Sequence, residues 1–408
     1  MKGLDSTLAT PPAGRKIRVL LFSSLFPSAS RPTHGIFVEN RLRELIKTGG
    51  VEARVVAPVP WFPFTHARFG EYAQYAATPA QALRNCLHVQ HPRYLLPPKV
   101  GMNLAPRTMA WAGLRAARAL QAQGFDFDLI DAHYYYPDGV AAAAIARALN
   151  KPFVVTARGT DLNLIPEYAT PRQRILETAA QAAASVGVCA ALMQRLAELG
   201  ADASKLHVLR NGVDLQRFRP EPQTQARQHL GLSVQGEWLL SVGHLIERKG
   251  HDLAIQALVE LPGVQLVIAG SGPERAALQA LAQTLGVAPR VRFVGSVPNE
   301  DLRWWYSAAD ALALCSSREG WANVLLESMA CGTPVLATNI WGTPEVVAQP
   351  VAGELLAARS AAALADAWRQ LRQRGSDHAA VRRYAEGFSW DATSQGQLAL
   401  FRRVLSMA

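Results

Sequence analysis

Short hydrophobic runs alternate with segments of helical periodicity in the first half of the chain. Runs rich in Val, Ile and Leu predict strands, and apolar positions three and four residues apart predict helices between them. The predicted strands are 17–22, 51–56, 128–133, 153–156 and 184–189, and the predicted helices include 37–47 and 140–149. Such alternation is typical of a parallel sheet covered by helices on both faces.

The second half repeats this pattern more regularly. Its predicted strands are 238–242, 264–269, 291–294, 311–314 and 334–337, and its predicted helices are 252–261, 274–285, 299–307 with Asn299 as N-cap, and 323–330. A chain of 408 residues is also too long for one ordinary core. The pattern therefore predicts an α/β protein with two Rossmann-like domains, each built on a doubly wound parallel sheet.

The composition shifts suggest where these domains begin and end. We expect a flexible tail at 1–15, an N-terminal domain at 16–216, a C-terminal domain at 217–385, and a last helix at 386–408 that packs back on the N-terminal domain. Ligands of open α/β sheets bind beyond the carboxyl ends of the strands. If the two domains face each other across a cleft, the active site is that cleft.

Composition and charge limit the classes of partner. Hydrophobic residues make up 49% of the chain and charged residues 18%, which is typical of a globular protein. The net charge of +10 favours an anionic partner such as a nucleotide diphosphate, an anionic lipid surface or nucleic acid. Because the basic residues are scattered, nucleic acid is the least favoured of the three.

The segment from Met102 to Gln123 predicts an amphipathic helix with Arg107, Arg115 and Arg118 beside its apolar residues. A basic amphipathic helix can lie on an anionic membrane. Packing of its apolar face on the domain is the favoured alternative, and both remain open at this point.

Cysteine usage and hydropathy indicate a cytoplasmic protein. The cysteines lack CxxC spacing and lie in or beside apolar segments: Cys86, Cys189, Cys315 and Cys331. We expect them to be buried free thiols in a reducing compartment. No apolar run is long enough to predict a membrane span. The polar first fifteen residues lack the apolar core of a signal peptide.

Two glutamates define the stretch with the most chemical information. Glu319 lies in a loop after a predicted strand, and Glu327 lies about one turn into the next predicted helix. Carboxylates accept hydrogen bonds from vicinal hydroxyls such as those of ribose. The first N–H groups of that helix, at Asn323 and Val324, could bind phosphate oxygens. In isolation, the same spacing also fits two solvated surface glutamates.

The residues around these glutamates carry a family resemblance. The stretch from Glu319 to Thr338 resembles the EGxxxxLLEAMACGTPVVAT signature of glycosyltransferase family 4, whose fold is called GT-B. Further matches occur in the family's order: Ser241–His251 resembles VGRLxxxKG, Asn211–Pro220 resembles NGVDxxxFxP, and Gly270–Pro273 resembles GxGP. The resemblance covers nearly the whole chain from Lys16 onward.

The resemblance implies a nucleotide-sugar site in the second half. Glu319 would contact hydroxyls of the donor sugar, Glu327 would bind the ribose, and Lys249 would bind the diphosphate. Breaking the bond between sugar and phosphate leaves extra negative charge, which a preorganised cation stabilises. Gly243 and His244 would complete this site. His244 stands where the family usually has Arg, so Arg248 is a candidate for the second cation.

Metal-dependent transferases use a divalent ion for the same purpose. The triplet Asp126-Phe127-Asp128 is therefore considered as a metal-binding candidate. It leads into a predicted buried strand, far in sequence from the donor loops. We interpret it as a solvated turn and predict no metal.

We expect the first half to hold the acceptor and to complete the donor site, with Gly35 as a candidate for binding the nucleotide sugar. Gly35 precedes a predicted helix, where glycine lets a backbone N–H approach phosphate closely. Arg158 follows a strand in a TARGTD sequence that resembles the family's TxHGxD loop. It is a catalytic candidate, or it forms a structural ion pair with Asp161. His133 also ends a strand and is a second candidate, although a lone His is more often a core residue.

These expectations combine into a retaining, metal-independent hexosyltransferase that needs no cofactor. The resemblance to teichuronic acid and capsule glycosyltransferases implies transfer from a UDP- or GDP-sugar to a saccharide or lipid-linked saccharide in cell-surface polysaccharide synthesis. Peripheral contact with the inner face of an anionic membrane fits this reading, and a nucleic-acid partner is not expected. The alternatives are a GT-B nucleotide-sugar epimerase and a non-catalytic protein that binds nucleotide sugars or membrane surfaces.

Overall fold

The computed structural model describes residues 15–97 and 101–407. The predicted N-terminal tail therefore lies outside the described residues, except for Arg15. The described chain forms two compact units. One extends to Arg210 and takes in the chain again from Asp391, and the other is Asn211–Trp390.

The first unit is built on one large sheet with helices on its faces. Its described strands and helices are β1 (Ile17–Phe22), α1 (Ile36–Lys47), β2 (Val51–Val56), β3 (Val59–Pro60), α2 (Glu71–Ala77), β4 (Gln81–Arg84), β5 (Leu87–Gln90), β6 (Arg93–Tyr94), α3 (Gly101–Ala122), β7 (Leu129–His133), α4 (Val140–Leu149), β8 (Phe153–Ala157), α5 (Thr160–Asn163), α6 (Ala169–Gln181), β9 (Ala184–Gly187), α7 (Ala190–Glu198) and β10 (Leu206–Val208).

The strand order of this sheet is β10-β9-β8-β7-β1-β2-β5-β4. All neighbours are parallel except β4 and β5, which pair antiparallel. The strand order reverses direction at β1, which has β2 on one side and β7 on the other. A crevice at such a reversal is where open α/β sheets bind ligands, so the loops after β1 and β7 mark the site of the first unit.

The second unit has a six-stranded parallel sheet in the order β13-β12-β11-β14-β15-β16. Its described elements are α8 (Gln223–His229), β11 (Glu237–Val242), α9 (His251–Ala257), β12 (Val264–Ala269), α10 (Arg275–Thr284), β13 (Val291–Gly295), α11 (Leu302–Ala308), β14 (Ala311–Leu314), α12 (Asn323–Ala330), β15 (Val335–Thr338), α13 (Thr343–Val346), β16 (Gly353–Leu356), α14 (Ala361–Arg374) and α15 (His378–Glu386). Here the order reverses between β11 and β14, so the loops after these two strands mark the site.

The last helix, α16 (Trp390–Met407), returns to the first unit from Asp391 onward. Its buried residues Leu398, Phe401 and Val404 join a core cluster that contains Val19 of β1 and Leu42 of α1. The apolar face of an amphipathic helix needs such a partner.

Three local predictions need correction. The predicted helix 299–307 begins only at Leu302, because a turn from Pro298 to Asp301 precedes it, and Asn299 is not its N-cap. The predicted helix 252–261 ends at Ala257, after which turns follow. Cys86 is exposed, not buried, because it lies in the tight turn between β4 and β5 with a positive φ; the other three cysteines are buried and form no disulfide.

No helix in the described part of the chain is both long and apolar enough to cross a bilayer.

Candidate functional site

The loop after β11 is held against the end of β14 by a glycine. Gly250 has φ +70°, and a Cβ atom there would lie 2.2 Å from the carbonyl oxygen of Cys315. Only glycine combines this left-handed conformation with so close an approach. The loop that carries Lys249 therefore reaches the loop that carries Glu319.

Lys249 and Glu319 meet directly. The Lys249 Nζ atom lies 2.7 Å from Oε1 of Glu319, which also accepts a 2.7 Å hydrogen bond from the Ser316 hydroxyl. Arg248 Nη1 lies 3.6 Å from the same oxygen and donates to the backbone oxygen of Arg318 at 2.6 Å. Glu319 is buried and both cations are partly exposed. The cluster thus places two positive charges and one carboxylate at the carboxyl edge of the sheet.

The helix that follows this cluster begins without a side-chain cap. Ala322 is the N-cap of α12 and supplies no side-chain acceptor for the N–H groups at Asn323 and Val324. Uncapped N–H groups and the positive end of the helix dipole favour an anion. Nearby, the buried indole N–H of Trp321 has no acceptor among the described residues.

Glu327 lies one turn into α12 and has a different environment. Its Oε2 atom accepts a 2.9 Å hydrogen bond from the Tyr306 hydroxyl on α11. Burial raises the pKa of Glu327 to about 7, and burial together with this carboxylate raises the pKa of Tyr306 well above its usual value. The two glutamates therefore have different partners: Glu319 is paired with cations, and Glu327 lies beside the phenol of Tyr306.

His244 and His251 support the same loop in different ways. The side chain of His244 is exposed. Its backbone oxygen accepts a 3.3 Å hydrogen bond from Nε2 of His251, and Nδ1 of His251 accepts from the Ser241 hydroxyl at 2.8 Å. Burial lowers the pKa of His251 to about 4, so the ring is neutral near pH 7. Sequence reasoning missed this role of His251, although the residue falls within the motif that begins at Ser241.

Gly243 and Gly270 bring the ends of β11 and β12 together. A Cβ atom at Gly270 would lie 1.8 Å from the carbonyl oxygen of Gly243. The chain after β11 therefore runs tightly along β12, and Gly243 lies beside the aliphatic part of Lys249.

In the first unit, Gly35 is the N-cap of α1 and has φ +69°. A Cβ atom there would lie 2.3 Å from the carbonyl oxygen of Leu25 in the loop after β1. No side chain caps this helix. The structure thus brings an open helix N-terminus to the carboxyl edge of the first sheet.

Arg158 and His133 lie together at the ends of β8 and β7. Arg158 Nη2 donates to Nδ1 of His133, and Nε2 of His133 donates to Asp131 at 3.1 Å. Burial lowers the pKa of His133 to about 4, so the ring is neutral. The Arg158 guanidinium also lies 5.5 Å from the ring centroid of Phe37, at the start of α1. Both ring nitrogens of His133 are engaged, so this geometry makes it a support for Arg158.

Two buried aspartates fix the neighbouring loops. Asp161 accepts hydrogen bonds from the backbone N–H groups of Tyr135, Arg158 and Gly159 at 2.7–3.2 Å. Asp138 accepts from the backbone N–H and the hydroxyl of Ser24. Burial raises the pKa of Asp138 to about 7. Sequence reasoning gave Asp138 no role, because a single aspartate within a motif does not reveal its burial.

The first unit also contains a cavity of about 170 Å³ next to the loop after β1. Its lining includes polar groups of Arg31, His34, Tyr75, His91 and Tyr94. The Nε2 atom of buried His91 has no hydrogen-bond partner among the described residues. A ligand hydroxyl could satisfy it, since Nδ1 already donates to the Ala57 oxygen at 3.1 Å.

The Asp126-Phe127-Asp128 triplet lies outside both sites. Asp126 contacts Gln121 and Lys151, and Asp128 accepts from Arg15 and from the backbone N–H of Arg18. Among the residues that the structure describes, no group of three or more His, Cys, Asp or Glu side chains could hold a metal ion.

Comparisons with known proteins identify the family. The family model described as "Glycosyltransferase Family 4" matches residues 34–217, and that described as "Glycosyl transferases group 1" matches residues 222–388. A D-inositol 3-phosphate glycosyltransferase of Frankia alni is 35% identical over 73% of this chain and 81% of its own length. This chain belongs to glycosyltransferase family 4.

Other relatives of this glycosyltransferase agree in length and fold. A putative teichuronic acid biosynthesis glycosyltransferase of Bacillus subtilis, TuaC, is 29% identical over 86% of this chain and 88% of its own. Sucrose-phosphate synthase from Thermosynechococcus elongatus superposes with a TM-score of 0.76 at 21% identity, covering 97% of this chain and 100% of that one. Anabaena HepE in complex with UDP-glucose superposes with a TM-score of 0.71 at 21% identity, with the same coverage. The GT-B fold with two Rossmann-like domains is confirmed.

Proposed function

We propose that this glycosyltransferase takes its sugar from a nucleotide diphosphate sugar bound at the second unit. The observation that carries the proposal is the Lys249–Glu319 pair beside the uncapped start of α12. Lys249 and Arg248 would face the diphosphate together with the N–H groups of Asn323 and Val324. A diphosphate needs cations and N–H donors around it, and this cluster supplies both.

The two glutamates would then hold the two sugars of the donor. Glu319 would accept hydrogen bonds from hydroxyls of the transferred sugar, with Lys249 and Arg248 beside its carboxylate. Glu327 would accept the ribose hydroxyls, and the Tyr306 hydroxyl would orient it. Gly243 and His244 would line the donor through the backbone that His251 supports.

We propose transfer with retention by front-face substitution. The bond between the anomeric carbon and the phosphate oxygen breaks, and its electron pair goes to the diphosphate, whose charge Lys249 stabilises. The acceptor oxygen bonds to the anomeric carbon on the same face. Its proton passes to the departing phosphate oxygen.

The acceptor would bind at the first unit, as a saccharide or lipid-linked saccharide of cell-surface polysaccharide synthesis. Arg158 and the start of α1 at Gly35 would contribute from this side, with His133 as the positioning residue for Arg158. The cavity beside Arg31 is lined by apolar residues and by several polar side chains, a combination that could bind a sugar. The teichuronic acid relative supports this class of acceptor, and the Frankia relative adds a phosphorylated polyol to those worth testing. Peripheral contact with the inner face of the membrane belongs to the same proposal.

The first experiment identifies the donor. UDP-, GDP- and ADP-sugars are screened for thermal stabilisation of the protein and for release of nucleotide, with and without acceptors. We expect one UDP- or GDP-sugar to stabilise and turn over, and NMR of the product to show the retained anomer. Conversion of the donor to its epimer without acceptor would favour the epimerase alternative, and stabilisation without turnover would favour a binding protein.

The second experiment tests the residues. Lys249→Ala and Glu319→Ala should each lower kcat/KM at least about a hundredfold, which is about 2.7 kcal/mol in barrier height. Exposed Lys16 and Glu300 provide matched alanine controls that remove the same charges elsewhere. Near-normal turnover in both site variants would contradict the assigned site.

A further inference from the structure

Large apolar side chains are exposed along one connected part of the first unit. In the segment 61–72, Trp61, Phe64 and Tyr72 expose 54%, 56% and 48% of their surface. Phe62 and Phe69 form one cluster with Phe64 and Tyr72, because the centroids of the contacting rings among these four lie 5.2–6.0 Å apart. Soluble proteins rarely expose so many aromatic rings together without a partner.

Helix α3 extends this surface. The backbone N–H of Trp61 donates to Tyr94 at 2.7 Å, and the Thr108 hydroxyl of α3 donates to the next carbonyl, Leu95, also at 2.7 Å. Leu95 is itself exposed, and so are Leu104 and Trp111 on the same face of α3 as Thr108. We call the exposed residues of 61–72, Leu95 and the exposed face of α3 the aromatic–arginine surface.

The charges on this surface that lack an ion-pair partner are positive. Helix α3 contains no Asp or Glu, and Arg107 and Arg115 are exposed beside Leu104 and Trp111. The Arg115 guanidinium lies 4.9 Å from the centroid of the Trp111 ring, and that of Arg68 lies 4.7 Å from the Phe69 ring. The one acidic residue in 61–72, Glu71, is paired with Arg31 at 2.8 Å.

The opposite face of α3 is already occupied. Met109, Ala112 and Leu120 are buried in the first unit. One face of the helix therefore packs on the first unit, as the favoured alternative for this segment predicts. The other face exposes Trp111, Arg107 and Arg115 to solvent.

We infer that the aromatic–arginine surface docks on an anionic lipid bilayer. Trp, Tyr and Leu insert at the level of the headgroups, where an aromatic ring with a polar edge is favoured. Arginine keeps its charge among lipid phosphates while its stem covers apolar surface. The absence of unpaired acidic side chains from the two described segments that form the surface excludes the repulsion that would oppose such a contact.

This inference extends the proposed function, since a lipid-linked acceptor is presented at a membrane. Pro60 and Tyr94, which line the polar cavity of the first unit, are the sequence neighbours of Trp61 and Leu95. Docking by this surface would therefore bring the cavity next to the headgroups.

Vesicle flotation tests the inference with the full chain. The probes are vesicles of phosphatidylcholine alone and vesicles of phosphatidylcholine and phosphatidylglycerol in equal amounts. We expect binding to the anionic vesicles, weakened by salt, and little binding to the neutral ones. The double variant Trp61→Ser/Trp111→Ser should lower the partition coefficient about tenfold or more, because both rings lose their apolar burial.

Matched controls separate this surface from the rest of the molecule. Val259→Ser changes a residue of the second unit that is 57% exposed, and it should bind like the unaltered protein. Arg107→Gln/Arg115→Gln should lower binding and its salt dependence, whereas Arg402→Gln on α16 should change binding less. Equal binding of the Trp variant and the Val259 variant, or no binding to anionic vesicles, would overturn the inference.

Two further measurements keep the outcomes distinct. Light scattering after size exclusion would reveal a dimer that the Trp variant disrupts, and that result would assign the surface to a second copy of the chain instead. Transfer to a water-soluble acceptor without vesicles should be unchanged in the Trp variant. Loss of vesicle binding with intact transfer is thus separable from failure of the proposed function.

Discussion

The two glutamates of the second unit show how surroundings give one residue type two behaviours. Glu319 lies against Lys249 and the Ser316 hydroxyl, so its negative charge is compensated. Glu327 accepts a hydrogen bond from the Tyr306 hydroxyl, and its burial raises its pKa to about 7. Desolvation favours the neutral acid, whereas a nearby cation favours the carboxylate.

Glu327 should make stability depend on pH in a definite direction. A folded pKa of about 7 exceeds the ordinary value of 4.5, so the folded state holds a proton that the unfolded state has released between these pH values. The stability that this proton contributes is complete below pH 4.5 and is lost as pH rises through 7. Glu327→Gln removes the titration and keeps the shape, so its melting temperature relative to the unaltered protein should rise between pH 5 and pH 8.

Calorimetry at several pH values measures this difference. Glu300→Gln removes one negative charge from an exposed position and serves as the control for net charge. A difference between Glu327→Gln and the unaltered protein that stays constant from pH 5 to pH 8 would contradict the assignment of this titration to Glu327.

Individual site residues could be predicted only where they belong to a motif. Lys249 and Glu319 are 70 residues apart, and only the family resemblance predicts that they share a site; the structure shows that they are in contact at 2.7 Å. The supporting role of His251 and the orphan indole N–H of Trp321 were missed. Burial and a missing partner are properties of the packed molecule, and no spacing along the chain encodes them.

Among elements, several strands and helices follow directly from periodicity, whereas α6 and α14 were not predicted. Strands β1, β2 and β12 and helices α4 and α12 have the predicted bounds. Periodicity predicts no strand in the region 57–97. The strands there have two to four residues, which are too few to display an alternation of apolar and polar positions. The predicted start of α11 was wrong, because a polar residue before an apolar run resembles an N-cap whether or not a turn precedes the helix.

Helix α1 offers a test of how its N-terminus is built. Gly35 and Gly49 flank this helix, and both have positive φ, +69° and +76°. Gly49 has open space around a Cβ atom, whereas Gly35 lies against the Leu25 carbonyl. Gly49→Ala should therefore cost only the left-handed conformation, about 1–2 kcal/mol. Gly35→Ala should cost more, because the backbone after β1 must also move.

Urea unfolding and transfer assays on both variants separate the two effects. We expect the larger loss of stability in Gly35→Ala, and a loss of transfer in that variant alone, since the displaced N–H groups at the start of α1 are those proposed to contribute to the site at the first unit. Equal losses of stability would mean that the close approach at Leu25 does not constrain the loop.

At the scale of the whole molecule, the end of the chain completes the unit in which the chain begins. Gln397 of α16 donates to Asp131 at 2.9 Å and accepts from Arg41 at 2.7 Å, so a residue near the C-terminus supports the carboxylate behind His133. Phe401 is fully buried in the same core as β1. The first unit is therefore a product of both ends of the sequence.

A substitution at position 401 should consequently weaken segments that lie hundreds of residues earlier. Phe401→Ala removes a fully buried ring and should lower the free energy of unfolding of the first unit by about 3–5 kcal/mol. Limited proteolysis with mass spectrometry should then show faster cleavage before residue 210, while exposed Arg402→Ala should leave cleavage unchanged. Because the core cluster joins α16 to β1 and α1 and not to the strands of the second unit, new cuts confined to residues 211–390 would contradict this assignment of the last helix.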